Sequence, residues 1–497
     1  MNESQISIAE FYKGQNIFLT GGTGFIGKVL VEKLLRSCPG IENIYLLCRS
    51  KKGKSINERL EEITSSPAFD LLREQNPQAL NKIILIEGDV AMLELGISKE
   101  DQQILKDKVS IVMHSAATID FNEPLKIAVN TNLRSIRELL NLAKDMKNLK
   151  SFVHISTAFA NWFELDVKEQ VYPTLYDPDD IIELADRLPD ETVNKMTPIL
   201  LGKHVNTYTF TKNLAENLIK REKNLPVIII KPSMVGASLS EPHIGWIDSL
   251  TGASRYIYLI AKGVYRSTFM PYKSAAADFV PVDFTSNLTI AAPWKREIDI
   301  KSDSMVHNPY IYFSTTGSTN KLLWKDYIND SRDLGRKYPP SNVFWYPQVR
   351  MHKTEIGHHI DVALTHLMPA YLMDLAAKVT GQKARAYRLQ KQVKDGYQAT
   401  IFVTSIPYVF QAKNFNNVLN SMSEADKKEF NFDPRTINWK QYMQDYYFGM
   451  RKFIVKEKDM KSPALMRRLT KLKYTNYFVK LSTGAAGLFL IWKSSGV

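Results

Sequence analysis

Short, continuous apolar runs alternate with longer stretches of helical spacing over the first 230 residues. Asn16–Thr20, Ile44–Cys48, Ile83–Ile86, Val109–His114, Phe152–Ile155 and Val227–Ile230 have the uninterrupted apolar character of strands buried on both faces. Helical stretches such as Phe25–Leu35, Asn132–Lys144 and Asn213–Arg221 lie between them. This alternation predicts an α/β fold, a doubly wound and mostly parallel Rossmann sheet. Beyond about residue 345 strand-like runs become scarce. Leu364–Thr380, Ala384–Ala399 and Trp439–Lys458 are spaced as helices. The expected organisation is a dinucleotide-binding unit with substrate-binding insertions over 1–350, a mainly helical C-terminal domain over 351–458, and a tail over 459–497.

Composition narrows this further. A chain of 497 residues with 24% charged and 11% aromatic side chains is globular, not disordered. Its two cysteines, Cys38 and Cys48, are too few for a disulfide framework or a thiolate metal cage, so a reducing compartment is expected. The polar N-terminus fits neither signal peptide nor anchor. Residues 451–497 hold eleven basic and two acidic side chains, +9 of the total +13. The remaining body is nearly neutral, which argues against nucleic acid as a partner. Within the tail, the basic stretch Ala464–Lys473 precedes the apolar run Leu481–Trp492. That run is shorter than the roughly 20 residues of a spanning helix, and the combination predicts contact with a membrane surface.

The first chemical motif is the turn Thr20-Gly21-Gly22-Thr23-Gly24-Phe25-Ile26-Gly27, which follows a strand and opens a helix. In that context Gly21 permits the tight turn, Gly24 lets backbone N–H groups approach a pyrophosphate, and Gly27 allows close helix–sheet packing. Thr20, Thr23, Phe25 and Ile26 complete the expected cradle. The second strand ends in Cys48-Arg49-Ser50-Lys51-Lys52, where an NAD binder usually has an acidic residue for the ribose. Arg49 offers a planar fork for a 2′-phosphate, so NADPH is the expected cofactor. Asp89 and Val90 follow the third strand and are placed near the adenine. Ala116 and Ala117 follow the fourth and are placed beside the nicotinamide.

The second motif is Tyr208-Thr-Phe-Thr-Lys212. On a helix, residues four apart share a face. Tyr208 is then the proton donor to a substrate carbonyl, and Lys212 lowers its pKa and binds the ribose. Thr157, with Ser156 as second choice, supplies a hydroxyl to the same oxygen. His358, His359 and His366 lack the further ligands a metal needs, so no metal is expected.

Taken in order, these segments resemble the animal-type fatty acyl-CoA reductases, extended short-chain dehydrogenases with a C-terminal helical domain. The resemblance rests on Thr20–Leu35, Arg36–Pro39, Leu46–Lys54, His114–Thr118, His154–Asn161, Asn206–Lys212, Glu241–Asp248 and Val280–Asp283. In the helical part it rests on Trp439–Tyr442 and Gly449–Lys452. It implies reduction of a long-chain acyl-CoA to a primary alcohol in two hydride transfers, with release of CoA, feeding wax ester or ether lipid synthesis. It further implies a membrane-associated enzyme whose catalytic body faces the cytosol, on the peroxisomal membrane in preference to the endoplasmic reticulum. Lys231-Pro-Ser233 stands where the family often has Arg-Pro-Ser, and Thr251–Arg255 replaces a loop often richer in Gly and Pro. The alternative enzyme is an extended dehydrogenase of the hydroxysteroid or sugar-nucleotide epimerase type. A non-catalytic NADP-binding scaffold would be expected to lose Tyr208 or Lys212, and both are present. Chain-length preference and oligomeric state stay open.

Overall fold

The computed structural model describes residues 6–50, 53–302, 309–457, 460 and 462–494. Seven parallel strands form the central sheet: β1 (Asn16–Thr20), β2 (Asn43–Cys48), β3 (Ile83–Glu87), β4 (Ile111–His114), β5 (Ser151–Ile155), β6 (Val227–Pro232) and β7 (Tyr310–Ser314). Their order is β7-β6-β5-β4-β1-β2-β3. The order reverses between β1 and β4, which pair in register from Ile17 opposite Ile111 to Thr20 opposite His114. That reversal opens a crevice at the strands' carboxyl ends, the usual ligand position in such sheets.

The sheet is covered on both faces, as its apolar runs require. Phe18, Val112, Phe152 and Ile229 join a core with Leu139 of the helix Ser135–Lys144 and Leu214 of the helix Thr207–Lys220. The alternate positions Leu19, Met113, Val153 and Ile228 are equally buried. The helix Phe25–Ser37 packs against Val282–Lys301. The seventh strand was absent from the sequence reading. Its Tyr-Ile-Tyr-Phe-Ser sequence has the aromatic and β-branched content of a strand.

The chain divides into two compact units, each built from three separated segments. The sheet unit takes residues 1–246, 276–321 and 406–437; the second takes 247–275, 322–405 and 438–497. A single cut near residue 350 therefore does not describe the organisation. Periodicity along the chain reports which segments are helical, not which of them pack together. In the second unit the helices Gly252–Ala261, Trp324–Lys337 and Trp439–Gly449 pack in sequence, and Ser254 Oγ lies 2.9 Å from the Tyr446 hydroxyl. The C-terminal helix spans Pro463–Ser494. Among the described residues no helix is long and apolar enough to cross a membrane. The side chains of Leu488–Trp492, central to the expected tail contact, lie outside what is described, as do Lys51 and Lys52.

Candidate active site

The glycine turn sits at the end of β1, in the crevice. Gly21 has φ +76°, and a Cβ there would lie 2.5 Å from the Ala116 nitrogen. The turn and the segment after β4 thus approach too closely for any side chain. A Cβ on Gly27 would lie 2.1 Å from the Gly21 carbonyl oxygen, so Gly27 holds the first helical turn against the loop. Gly24 is the N-cap of Phe25–Ser37, and no side chain caps that helix. Its N-terminal N–H groups and dipole are left to face an anion. Phe25 stacks on Trp246 at 5.4 Å, while Thr23 and Ile26 stay partly exposed at the rim. Ala116 and Ala117 are half-buried beside the turn. Thr20 is buried, its Oγ1 2.6 Å from His114 Nδ1.

Arg49 follows β2 and is half-exposed, with Nη1 donating to Asp89 Oδ2 at 2.5 Å. The two residues assigned to opposite parts of the adenosine are therefore in direct contact. Val90 packs on the edge of the core. A guanidinium already oriented by a carboxylate, with half its surface open, fits a phosphate beside the glycine cradle.

Tyr208 and Lys212 lie on the helix Thr207–Lys220, whose N-cap Asn206 accepts from the Thr209 N–H at 2.8 Å. The Thr157 side chain acts on the Tyr208 hydroxyl and favours its ionised form. Desolvation nevertheless pushes the phenol up to about 12, with only Thr157 drawing it down. The expected depression by Lys212 is not among the influences on the phenol, which are burial, the Thr157 side chain and the negative charge of Glu216. Tyr208 is protonated across the physiological range, as a proton donor must be. Lys212 donates to the Ile155 carbonyl oxygen at 2.8 Å, at the end of β5. Burial pulls its ammonium down to about 8, opposed by the negative charge of Glu216.

Ser156 takes a different part from Thr157. Its Oγ donates to Glu216 Oε1 at 2.5 Å, and the other carboxylate oxygen accepts from Lys231 at 2.7 Å. Glu216 and Lys231 are both fully buried. Ser156 therefore belongs to a buried network behind Lys212, whereas Thr157 stays with Tyr208. Sequence reasoning missed Glu216. Its signal was the spacing: one turn past Lys212 and two past Tyr208, on the same face. It also missed Asn132, in the π-helical turn Val129–Arg134. Asn132 accepts from the Thr118 N–H at 2.9 Å and donates to Thr211 Oγ1 at 3.1 Å, fastening the loop after β4 to the Tyr208 helix. Behind these groups His114 stacks on His154 at 5.4 Å. Burial holds both imidazoles neutral, His114 at about 3.

The NAD-binding family described as Male sterility protein matches residues 19–289, and its companion Sterile family, also described as Male sterility protein, matches 365–457. Fatty acyl-CoA reductase 1 of Rattus norvegicus is 40% identical over 479 residues, 95% of this chain and 91% of that one. The chain belongs to the fatty acyl-CoA reductase family. A more distant member, fatty acyl-CoA reductase wat of Drosophila melanogaster, is 34% identical over 97% of this chain and 93% of its own. Among solved structures, the terminal R domain of the myxalamid pathway aligns with TM-score 0.58 at 17% identity, covering 89% of this chain and 92% of that one. The reductase domain of a nonribosomal peptide synthetase from Mycobacterium tuberculosis aligns with TM-score 0.58 at 19% identity, over 89% and 94%. At those identities the structures speak for the fold alone. The reductase thus has an NAD(P)-binding sheet, and its Tyr208, Thr157 and Lys212 gather at the carboxyl end of β5.

Proposed function

We propose that this reductase converts long-chain acyl-CoA thioesters to primary alcohols with NADPH. The observation that carries the reading is Tyr208, influenced by the Thr157 side chain, with Lys212 one turn on along the same helix, within a member of the fatty acyl-CoA reductase family. The glycine cradle fits a dinucleotide, because Gly21 and Gly27 leave room only for backbone and the helix behind them is uncapped. Arg49 would hold the 2′-phosphate and the Phe25 helix end the pyrophosphate. When bound, the nicotinamide supplies hydride.

The chain's own groups do the rest. Thr157 and Tyr208 bind the carbonyl oxygen of the thioester, and Tyr208 gives that oxygen its proton. Lys212, charged below about pH 8, sets positive potential beside the tyrosinate that results. A thioester carbon needs four electrons to become a primary alcohol, two per hydride. After CoA leaves, the aldehyde offers the same oxygen to the same two hydroxyls, so one set of groups serves both reductions. Purified protein incubated with NADPH and a long-chain acyl-CoA should oxidise about two NADPH per CoA released and accumulate alcohol. A ratio near one, with aldehyde accumulating, would overturn the alcohol-forming reading.

The basic tail is proposed to hold the enzyme on a membrane, with the peroxisome favoured over the endoplasmic reticulum by family resemblance. The charge of 451–497 and the long helix Pro463–Ser494 support this. Imaging the tagged full chain against markers of both organelles tests the location.

A further inference from the structure

A helical segment of the second unit is amphipathic in the opposite sense to a helix that faces water. It runs from Glu355–Val362 through a π-helical turn, Ala363–Leu367, into Met368–Val379. Its polar side chains are turned inward. Asp361 is buried and paired with Arg350 at 2.5 Å and His352 at 2.9 Å. His358 is buried with Nδ1 3.0 Å from Ser267 Oγ, and buried His366 accepts the Arg266 N–H through Nε2 at 3.2 Å. The outward side carries Ile356, Ile360, Leu364, Met368, Leu372 and Val379, each more than half exposed. Between Glu355 and Asp374, His359 and Tyr371 are the only exposed polar side chains. Asp374 itself is committed to the next helix, accepting from the N–H groups of Arg385, Ala386 and Tyr387 at 2.8 to 3.0 Å.

An apolar stripe of this length is not left to water without a function. Its surroundings identify the partner. Residues 378–394 hold six basic side chains and no acidic one. Five of them, Lys378, Lys383, Arg385, Arg388 and Lys391, are exposed. The C-terminal helix of the same unit is tied to the body through Asn476, which accepts from Trp345 at 3.1 Å and Gln348 at 2.9 Å. Lys480 on that helix feels the charge of Arg350, the residue that holds Asp361. Tyr474, Tyr477 and Phe478 are exposed there, aromatic side chains of the kind that settle at lipid headgroup depth. A second copy of this chain would bring the same uncompensated positive charge against the stripe, whereas acidic lipid would neutralise it.

We infer that the outward face of residues 355–379 docks flat on an anionic phospholipid bilayer. The stripe sinks to the boundary between headgroups and acyl chains, and the basic side chains of 378–394 meet the lipid phosphates. This contact is additional to the tail and does not depend on it.

Both native cysteines are buried, so a maleimide dye will address an introduced thiol. Full-length Leu364→Cys carrying an environment-sensitive fluorophore should brighten on phosphatidylcholine vesicles containing about one-third phosphatidylserine. It should also be quenched by lipids spin-labelled near the headgroup. The same dye on exposed Lys195→Cys should stay unchanged. Full-length protein with Ile360→Ser, Leu364→Ser and Leu372→Ser should partition onto these vesicles at least ~10-fold more weakly, with unaltered NADPH binding and melting temperature. A dye that stays in water while the chain floats with vesicles would overturn the docking face and leave the tail as anchor. Wild-type partitioning of the triple-serine variant would do the same, and absence of flotation would defeat both contacts. Conversion of an oligomer to monomer by the serine substitutions, seen by light scattering without lipid, would assign the stripe to a second copy and overturn the proposal.

Discussion

Replacing Glu216 by Gln isolates the buried charge behind the active site. Glutamine keeps an acceptor for the Ser156 hydroxyl but removes the negative charge 2.7 Å from Lys231. Lys231 has no exposed surface, and its ammonium also lies over the Phe313 ring at 5.7 Å. Breaking a buried pair by removing one partner costs about 3–5 kcal/mol, because the remaining charge cannot reach water. For a unit of this size, where 1 kcal/mol moves the midpoint by roughly 2 °C, the melting temperature should fall by ~6–10 °C. Adding Lys231→Met to Glu216→Gln removes the orphaned charge and should restore most of the loss. A second readout reports on catalysis. Glu216 raises the Lys212 pKa, and burial lowers it to about 8. The protonated form is present below that value and is lost as pH rises through it. The alkaline limb of kcat/KM in the wild-type enzyme should therefore fall near pH 8, and Glu216→Gln should move it to lower pH. Scanning fluorimetry and a pH series on the same preparations measure both. A variant melting within ~2 °C of wild type, with its alkaline limb in place, would refute the reasoning.

Three further outcomes are expected. Tyr208→Phe should lower turnover by ~10²-fold or more with cofactor binding intact, measured by NADPH oxidation and fluorescence titration. Arg49→Ala should weaken NADPH about tenfold, the lower end for a charge-assisted contact because the guanidinium is half-exposed, and leave NADH nearly unchanged. Gly27→Ala should abolish tight dinucleotide binding and lower stability by ~1–3 kcal/mol in denaturant titration, since its Cβ would meet backbone that cannot turn aside.

The parts of this protein legible from sequence are those whose signal is local. The strand, the glycine turn and the helix that follows occupy Asn16–Ser37 without a break, so spacing alone predicts their geometry. Tyr208 and Lys212 share a face because one helix carries both. What remained hidden depends on segments far apart in the chain. Glu216 shares a helix face with Tyr208 and Lys212, but the Ser156–Glu216–Lys231 network joins that helix to a strand end and another strand, and no spacing relates those segments. Distinguishing Thr157 from Ser156 required knowing which neighbour was Tyr208 and which Glu216. The tyrosine's titration followed enclosure, which one sequence does not report. Of the outward stripe, Leu364 onward was legible as part of the helix Leu364–Thr380, but its start at Glu355 and its direction depended on where Arg350, Ser267 and Arg266 would stand.

The interleaving of the two units sets a schedule for biosynthesis. Lys33 is buried in the first helix after the glycine turn, where its ammonium donates to Glu241 at 2.7 Å and to the Glu429 carbonyl at 2.7 Å. Nearly four hundred residues must leave the ribosome after Lys33 before its last acceptor exists. Until then the nucleotide-binding half carries a cation with one of its partners missing, so the nascent sheet should stay in the care of chaperones while the second unit is translated. The same threading governs dissection: an expression fragment ending near residue 290 or 350 would lack 406–437, and with it Glu429. A separately folding cofactor domain would have to be made by grafting that segment back, for example by circular permutation, rather than by truncation.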